Sequence, residues 1–394
     1  MDNIQLILNG MMREMLSPGT AAVAIAVIGL NIHFGFTGLL NMGQAGFMLL
    51  GAYGMGISVW HGLPFAVGIL FGLGAALIFA LILGVPTLKL RGDYLAIVTI
   101  SAAEIIRYVG RSSLLTDFTG SAQGIPGSQY SDPFRSVAFW PFTGGGSWVL
   151  LPFNYHDVAD GAVWVRLLGW AIAIGAIASL VYLLRSGDKF SGVARNGLVV
   201  LLVVFSVFLL LFLFPLDYQK VGVNGWWLRF VAWTLVAVCC FIVYLLVRSP
   251  WGRLLRGIRE DEDAIRSLGK NVFAIKMQAL IIGGLFGALG GMVYVLASSV
   301  QPDSMGRTLT FFCYTALLLG GAATIFGPVL GTIMFYVGRA FIFQASRAYV
   351  PDSILNTQEA AFFSYIVVGV ALMLLVIFRP QGVLGDKREL RFNV

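Results

Sequence analysis

Long apolar runs separated by short polar segments dominate this 394-residue sequence. A helix needs about 17 to 25 mainly apolar residues to cross a bilayer, and runs of that length recur along the whole chain. Gly and Pro interrupt the 308–344 region, which can form two short half-spans, so the pattern predicts ten or eleven membrane helices. The candidate spans lie near residues 19–36, 39–60, 64–85, 94–111, 163–184, 197–215, 227–247, 275–297, 308–326, 329–344 and 359–378.

Composition indicates the same class of protein. Apolar residues make up 58% of the chain and charged residues 11%, whereas soluble domains carry roughly 25% charged residues. We therefore expect an all-α polytopic integral membrane protein whose residues 1–394 form a single transmembrane domain. Residues 1–18 predict a short amphipathic segment ahead of the first span. The three cysteines lie inside apolar runs, which favours small core residues over a disulfide framework.

Residues 249–275, called here the charged segment, form the longest charged run of the chain. Seven cations between Arg248 and Lys276 surround four consecutive acids, Glu260 to Asp263. Charges are too costly in hydrocarbon for this segment to cross the bilayer. Its excess of Lys and Arg predicts a loop on the cytoplasmic side.

The centre of the charged segment predicts a short helix. The acids Glu260 to Asp263 would lie at its positive N-terminal end, and Arg266 towards its other end, as the helix dipole favours. Ala264, Ile265 and Leu268 would share one face, and Gly269 would end the helix. Two interpretations follow from the residues alone: a helix that docks a soluble partner, or a basic loop held at the anionic inner leaflet.

The other basic segments agree with this orientation. If the charged segment is cytoplasmic, alternation of the spans also places Lys89 and Arg91, the 185–195 loop and the 379–394 tail on that side. The N-terminus and the 112–162 loop then lie outside. That loop is long enough to receive an external protein, or it is a spacer. Residues 163–215 predict an additional helical hairpin of unknown role.

Polar residues inside the spans are the candidates for a substrate path. Asn41, Gly43 and Gln44 lie in a Gly-rich span, where they either join helices or line a path. Glu104 and Arg107 are three residues apart and face the same side of a helix. This pair either binds a zwitterion or neutralises itself near the external interface. A second Gly-rich break adds three more candidates, Gly320, Gly321 and Thr324.

Several ordered motifs resemble the M-type branched-chain amino-acid permeases of ABC importers. The pattern GR-x-LR-x-IREDE followed by LG is matched by Gly252, Arg253, Leu255, Arg256, Ile258 to Glu262, Leu268 and Gly269. Further matches are the 30–53 block, the 90–107 block, residues 123–127 and Gly320–Pro328. Ala323 departs from the pattern, because the family usually has Gly there. The resemblance covers roughly 19–127 and 227–385.

This resemblance implies an ABC-importer permease architecture with Gly-rich broken spans. It implies a cytoplasmic-membrane subunit that moves leucine, isoleucine and valine, paired with a second related permease, two ATPase subunits and an external binding protein. Urea or a short amide is the alternative cargo within the family. The residues implied in ATPase coupling are Arg256, Arg259, Glu260, Asp261, Glu262, Asp263, Ala264, Leu268 and Gly269.

Missing motifs limit the chemistry of the chain. A P-loop needs G-x-x-x-x-G-K-[ST] to cradle phosphate, and Gly269-Lys270 is followed by Asn271 without the upstream glycine. We therefore expect no catalysis and no cofactor on this chain, with ATP and Mg²⁺ on partner subunits. His33, His61 and His156 show no metal-ligand spacing. An ion-coupled secondary transporter and a channel are the competing classes.

Overall fold

The computed structural model describes residues 2–88, 92–127, 226–351, 356–378 and 381–385, with a few single positions between 171 and 206. Its regular elements in these ranges are helices. They are α1 (Asp2–Met15), α2 (Pro18–Leu30), α3 (Gln44–Trp60), α4 (Phe65–Thr87), α5 (Gly92–Gly110), α6 (Trp226–Arg248), α7 (Pro250–Glu260), α8 (Glu262–Ser267), α9 (Val272–Leu296), α10 (Arg307–Gly320), α11 (Gly327–Tyr349) and α12 (Thr357–Phe378).

Helix length and composition confirm an all-α polytopic membrane protein. Within the described ranges, five helices are long and apolar enough to cross a bilayer: Pro18–Phe36, Phe65–Thr87, Leu228–Arg248, Val272–Leu296 and Gly327–Tyr349. The predicted spans at 163–184 and 197–215, and the additional hairpin predicted for this region, lie outside the continuously described residues. So do Lys89, Arg91, the 185–195 loop and most of the 379–394 tail.

Helices α2 and α9 form the centre of the molecule. The side chains of α2 from Thr20 to Leu30 are buried, and small residues let α9 pack closely against them. A Cβ added at Gly29 would overlap the carbonyl oxygen of Gly283, and a Cβ at Gly290 would lie 2.6 Å from the carbonyl oxygen of Ala22. Backbone contacts this close are how small residues join membrane helices.

The outer helices expose apolar side chains. Leu70 and Ile82 on α4 are each 68% exposed, and so is Phe362 on α12. In a membrane protein such surfaces can face lipid or a neighbouring subunit, so exposed apolar side chains are expected there. The packed interior therefore lies among α2, α3, α9 and the elements joined to them.

The two Gly-rich regions fold differently from each other. Helix α2 continues as a π-helix, Asn31–Phe36, and α3 begins only at Gln44, so residues 37–43 form a turn rather than part of the predicted 39–60 span. The 308–344 region contains one short helix, α10, and one full-length helix, α11. The prediction of two half-spans is therefore wrong for the second helix, which extends to Tyr349.

Candidate functional site

The charged segment forms two helices, not one. Ser249 caps α7, and Asp261 interrupts the run by adopting an extended conformation. The carboxylate of Asp261 accepts hydrogen bonds from the backbone N–H groups of Asp263 (2.9 Å) and Ala264 (3.0 Å), as an N-cap residue does. Glu260 therefore ends α7, and the prediction that it opens the second helix is wrong.

Helix α8 presents a mixed acidic and apolar surface. Asp263 has a side chain that is 88% exposed, and Leu268 is 72% exposed. Ile265 turns the other way and its side chain packs at Gly257 of α7. Gly269 ends this region with a φ of +73°, and the left-handed conformation favours glycine. The predicted apolar face is therefore divided, with Leu268 outward and Ile265 inward.

An ion pair ties α8 to the first turns of α9. Glu262 contacts both Lys276, whose side chain is only 13% exposed, and Arg266 at 2.9 Å. Arg266 also reaches Asp263 at 3.0 Å. The low exposure of the Lys276 side chain makes this link less screened by solvent than a fully exposed pair. A displacement of α8 would therefore act directly on α9.

Arg259 points into the protein. Its Nη1 donates a hydrogen bond of 2.6 Å to the backbone carbonyl oxygen of Gly35 in the π-helix, and the glycine at position 38, with φ +75°, packs against the Arg259 side-chain stem. Arg256, by contrast, is exposed, with Nη2 3.5 Å from the Val247 carbonyl oxygen. The two arginines of the predicted coupling set thus occupy different environments.

The π-helix also holds the second Gly-rich break, residues 321–326, called here the broken segment. The buried Asn31 side chain donates to the carbonyl oxygen of Thr324 (2.7 Å) and accepts from the N–H of Ala323 (2.8 Å). Amide side chains can satisfy backbone groups that a broken helix leaves unpaired. One π-helix therefore contacts both the charged segment and the broken segment.

The predicted path residues near the broken segment, Gly320, Gly321 and Thr324, shape the local backbone. Thr324 Oγ1 donates to the carbonyl oxygen of Gly321 at 2.8 Å and accepts from the N–H of Gly327 at 3.0 Å. Gly321 has a φ of +110°. A Cβ at Gly320 would overlap the carbonyl oxygen of Gly327. These residues let the chain turn from α10 into α11.

Asn41 and Gln44 join His33 in a fully buried group, called here the amide cluster. Asn41 Nδ2 lies 3.0 Å from His33 Nδ1 and 3.4 Å from Gln44 Oε1. Gln44 Nε2 donates to the carbonyl oxygens of Ala26 (2.9 Å) and Gly283 (3.3 Å). These bonds connect α2, the 37–43 turn, α3 and α9 through polar groups that would be costly to bury alone.

The start of α3 is capped by threonines from distant helices. Gly43, the residue before α3, offers no side-chain cap. Thr310 on α10 accepts from the N–H of Ala45 at 3.0 Å, and Thr99 on α5 accepts from the N–H of Met42 at 2.9 Å. Gly43 itself packs against the backbone of Thr99. Small size at position 43 therefore lets α5 approach this turn.

Glu104 and Arg107 form the predicted ion pair, and Asp303 joins it as a third member. Arg107 Nε donates to Glu104 at 2.9 Å, and Nη1 reaches Asp303 at 2.6 Å. Arg111 also contacts Asp303, at 3.1 Å, and Glu104 accepts from the N–H of Arg307 at 3.1 Å. The network fastens α5 to the connection between α9 and α10. Asp303 was missed because it lies far away in the sequence.

The sequence-predicted residues therefore fall into separate places: the charged segment, the amide cluster, the α5 ion pairs and the broken segment. Sequence reasoning also missed Arg339, which contacts Glu14 from within the predicted 329–344 span. The sequence did contain a signal for Arg339, because a charged residue inside an apolar run is rare and marks a functional candidate.

Comparison with known proteins supplies the family context. The family model described as "Branched-chain amino acid transport system / permease component" matches residues 19–377. The high-affinity branched-chain amino acid transport system permease protein LivM of Escherichia coli K12 is 29% identical over 389 residues, covering 95% of this chain and 72% of the relative.

Other relatives are named for different cargoes. The guanosine ABC transporter permease protein NupQ of Bacillus subtilis 168 is 28% identical over 243 residues, covering 54% of this chain and 70% of the relative. The autoinducer 2 import system permease protein LsrC of Escherichia coli O9:H4 is 24% identical over 164 residues, covering 41% and 45% of the two chains. No solved structure matches this chain.

Proposed function

This chain belongs to the branched-chain amino acid permease family of ABC transport systems, and from that premise we propose that it carries leucine, isoleucine and valine into the cell. It would act as the membrane-spanning subunit beside a second related permease, two ATPases and an external binding protein. ATP and Mg²⁺ would bind the ATPases. The charged segment and the 379–394 tail would face the cytoplasm, with the 112–162 loop outside.

One observation supports the coupling role above all others: the exposed surface of α8. Asp263 on α8 and Leu268, the residue that follows its last turn, are both exposed. Ile265 and Glu262 fix the same helix to α7 and α9. A rigid helix with one apolar side chain and several acids is suited to a groove with basic edges. An ordinary surface loop would not need links to both α7 and α9.

The mechanism follows from those links. Closure of the ATPases on ATP would move α8, and the Glu262–Lys276 pair would pass that movement to α9. The Arg259–Gly35 hydrogen bond would pass it to the π-helix at the end of α2. ATP supplies the energy, and the permease supplies two states that the ATPases stabilise differently.

The cargo is tested by reconstitution. The co-expressed complex is placed in proteoliposomes with ATP inside and binding protein and labelled leucine outside. We expect leucine accumulation that requires both ATP and the binding protein and that unlabelled urea and guanosine do not reduce. Competition by guanosine or urea without net leucine uptake would reassign the cargo, while accumulation driven by an ion gradient without ATP would remove the importer proposal.

The docking surface is tested with a matched pair of exposed leucines. Leu268→Ser should abolish ATP-driven uptake and weaken ATPase association on purification. Leu114→Ser, at a leucine that is 93% exposed in the 112–162 loop, should leave the ATPase association unchanged. Glu262→Lys is a less clean test because it also breaks the internal pair with Lys276. Normal uptake by the Leu268 variant would contradict docking at this surface.

A further inference from the structure

Arg339 places a positive charge in the middle of a membrane-length helix. It lies twelve residues after the first residue of α11, Gly327, and ten before the last, Tyr349. Within the described part of the chain, α11 is among the helices long and apolar enough to cross the bilayer. A charge inside such an apolar helix needs a partner and commonly marks a binding site or a transport path.

The surroundings hold the Arg339 guanidinium in place without fully satisfying it. The rings of Tyr336 and Tyr365 lie 5.6 Å and 5.4 Å from its central carbon, and Nη1 donates to the Tyr365 hydroxyl at 3.2 Å. Nη2 lies 3.6 Å from a carboxylate oxygen of Glu14, which is longer than a hydrogen bond. Among the described residues, Nε is buried and has no acceptor.

A cavity of about 310 Å³ opens beside this group, between α1, α11 and α12. Its volume falls at the small end of the range for small-molecule sites. Charges of both signs and an apolar wall line it. The lining residues are Gly10, Arg13, Glu14, Arg339, Ala340, Phe343, Gln344 and Ala361.

We propose that this cavity binds a zwitterionic α-amino acid with an aliphatic side chain. The ligand carboxylate would accept hydrogen bonds from Arg339, and the ligand ammonium would donate to Glu14. The side chain would contact Phe343, Ala340 and Ala361. This inference rests on the proposed function, since it supplies a substrate site that the family assignment leaves open.

Two features favour a zwitterion over a simple anion. Arg13 and Arg339 outnumber the one carboxylate, so an anion would also be attracted, but only a ligand with an ammonium group can pair with Glu14. The Arg339–Glu14 contact is long enough that each charged group retains hydrogen-bonding capacity for a ligand. A phosphatidylethanolamine head group carries the same pair of charges, so lipid is the competing source of this chemistry.

The test is direct ligand binding to the intact complex in nanodiscs, without ATP and without the binding protein. Labelled leucine is competed with leucinol, which lacks the carboxylate, and with 4-methylpentanoate, which lacks the ammonium. Wild type should prefer leucine over both. Arg339→Gln should weaken leucine about tenfold or more and lose the preference over leucinol, while Glu14→Gln should lose the preference over 4-methylpentanoate.

Matched variants separate binding from folding. Arg347→Gln removes an exposed arginine from the same helix outside the cavity and should bind leucine like wild type. Arg339→Lys keeps the charge and should retain part of the affinity, with the elution profile of wild type. Unchanged leucine affinity and unchanged selectivity in both Arg339→Gln and Glu14→Gln would overturn the proposal.

Two further arms separate the outcomes. Nanodiscs without phosphatidylethanolamine should bind leucine as well as those with it, whereas a bound phosphatidylethanolamine that leucine cannot displace would assign the cavity to lipid and overturn the amino-acid site. The site and the proposed function can fail separately. If the wild-type complex takes up leucine but the cavity variants bind it normally, the proposed function stands and only this site is refuted.

Discussion

The side chain of Arg259 and the backbone carbonyl of Gly35 are 224 residues apart in sequence and form a hydrogen bond of 2.6 Å. Gly35 belongs to the π-helix that ends α2, and Arg259 belongs to the amphipathic helix α7. Inserted π-turns often occur at functional positions. The bond joins the segment proposed to meet the ATPases to α2 and its π-helix, which form the most buried of the membrane-length helices in the described part of the chain.

Removal of this bond should uncouple ATP hydrolysis from transport. Arg259→Met keeps the apolar stem that packs on the 37–43 turn but removes the donor. We expect the complex to assemble and hydrolyse ATP while leucine moved per ATP falls about tenfold or more, since a hydrogen bond to a charged group contributes about 1.5–3 kcal/mol. Uptake and ATP hydrolysis measured in the same proteoliposomes check this.

The control for that variant is Arg253→Met, six residues earlier on α7, where the side chain is exposed. It should leave the ratio of leucine to ATP unchanged. Equal losses in the two variants would indicate a general effect of charge on the helix, and an unchanged ratio in the Arg259 variant would show that the bond to Gly35 does not transmit the movement.

Two glycines of α11 should respond oppositely to the same substitution. A Cβ at Gly331 would overlap the carbonyl oxygen of Ala316 on α10, whereas one at Gly338 would meet no heavy atom of the described residues within 4 Å. Gly331→Ala should destabilise the protein by about 1–3 kcal/mol through overpacking. Gly338→Ala should be neutral or stabilising, because alanine favours the helix.

Thermal unfolding in detergent compares these two variants with wild type. A lower midpoint for Gly331→Ala beside an unchanged or higher midpoint for Gly338→Ala supports the close α10–α11 crossing. Equal midpoints for all three proteins would contradict it.

How much of the fold the sequence predicts depends on how far apart in the chain the interacting residues lie. Spans were predictable because apolar length alone decides whether a helix can cross a bilayer. The end of α11 was not predictable, because Arg339 and Gln344 interrupt its apolar run. Their partners, Glu14 and the glycine at position 10, come from the start of the chain. Those contacts are tertiary and leave no local signal.

The candidate site shows the same division. The acids and cations of residues 249–275 indicated an aqueous segment, and Gly269 indicated a helix end. The break at Asp261 was hidden, because a run of four acids offers several possible N-cap residues and only packing selects one. The inward direction of Arg259 likewise depends on Gly35, which no pattern within the charged segment can identify.

The amide cluster provides a third prediction. From the sequence, Gln44 could either join helices or line a substrate path. Its hydrogen bonds to the carbonyl oxygens of Ala26 and Gly283 favour the packing role. Gln44→Leu should therefore destabilise the protein by about 1–3 kcal/mol without changing the KM for leucine in the remaining transport. Gln301→Leu, at an exposed glutamine, is the matched control. A raised KM with wild-type stability would instead place Gln44 on the path.

Ala323 gives the last prediction, because it is a non-glycine residue with a φ of +61°. Its N–H is held by Asn31, so the left-handed conformation is fixed by tertiary contact. The left-handed conformation costs an L-residue about 1–2 kcal/mol, and glycine avoids that cost while losing about 0.5–1 kcal/mol through the greater freedom of the unfolded chain. Ala323→Gly should therefore stabilise the protein by up to about 1 kcal/mol.

The neighbouring residue supplies the control. Ala322 is buried and lacks a positive φ, so Ala322→Gly should lower stability by creating space and freedom without relieving strain. Ala323→Val should also lower it, because a β-branched side chain suits this conformation still less. Thermal midpoints in detergent decide the order: Ala323→Gly above wild type, and the other two below. A midpoint for Ala323→Gly at or below that of Ala322→Gly would show that the broken segment stores no strain at this residue.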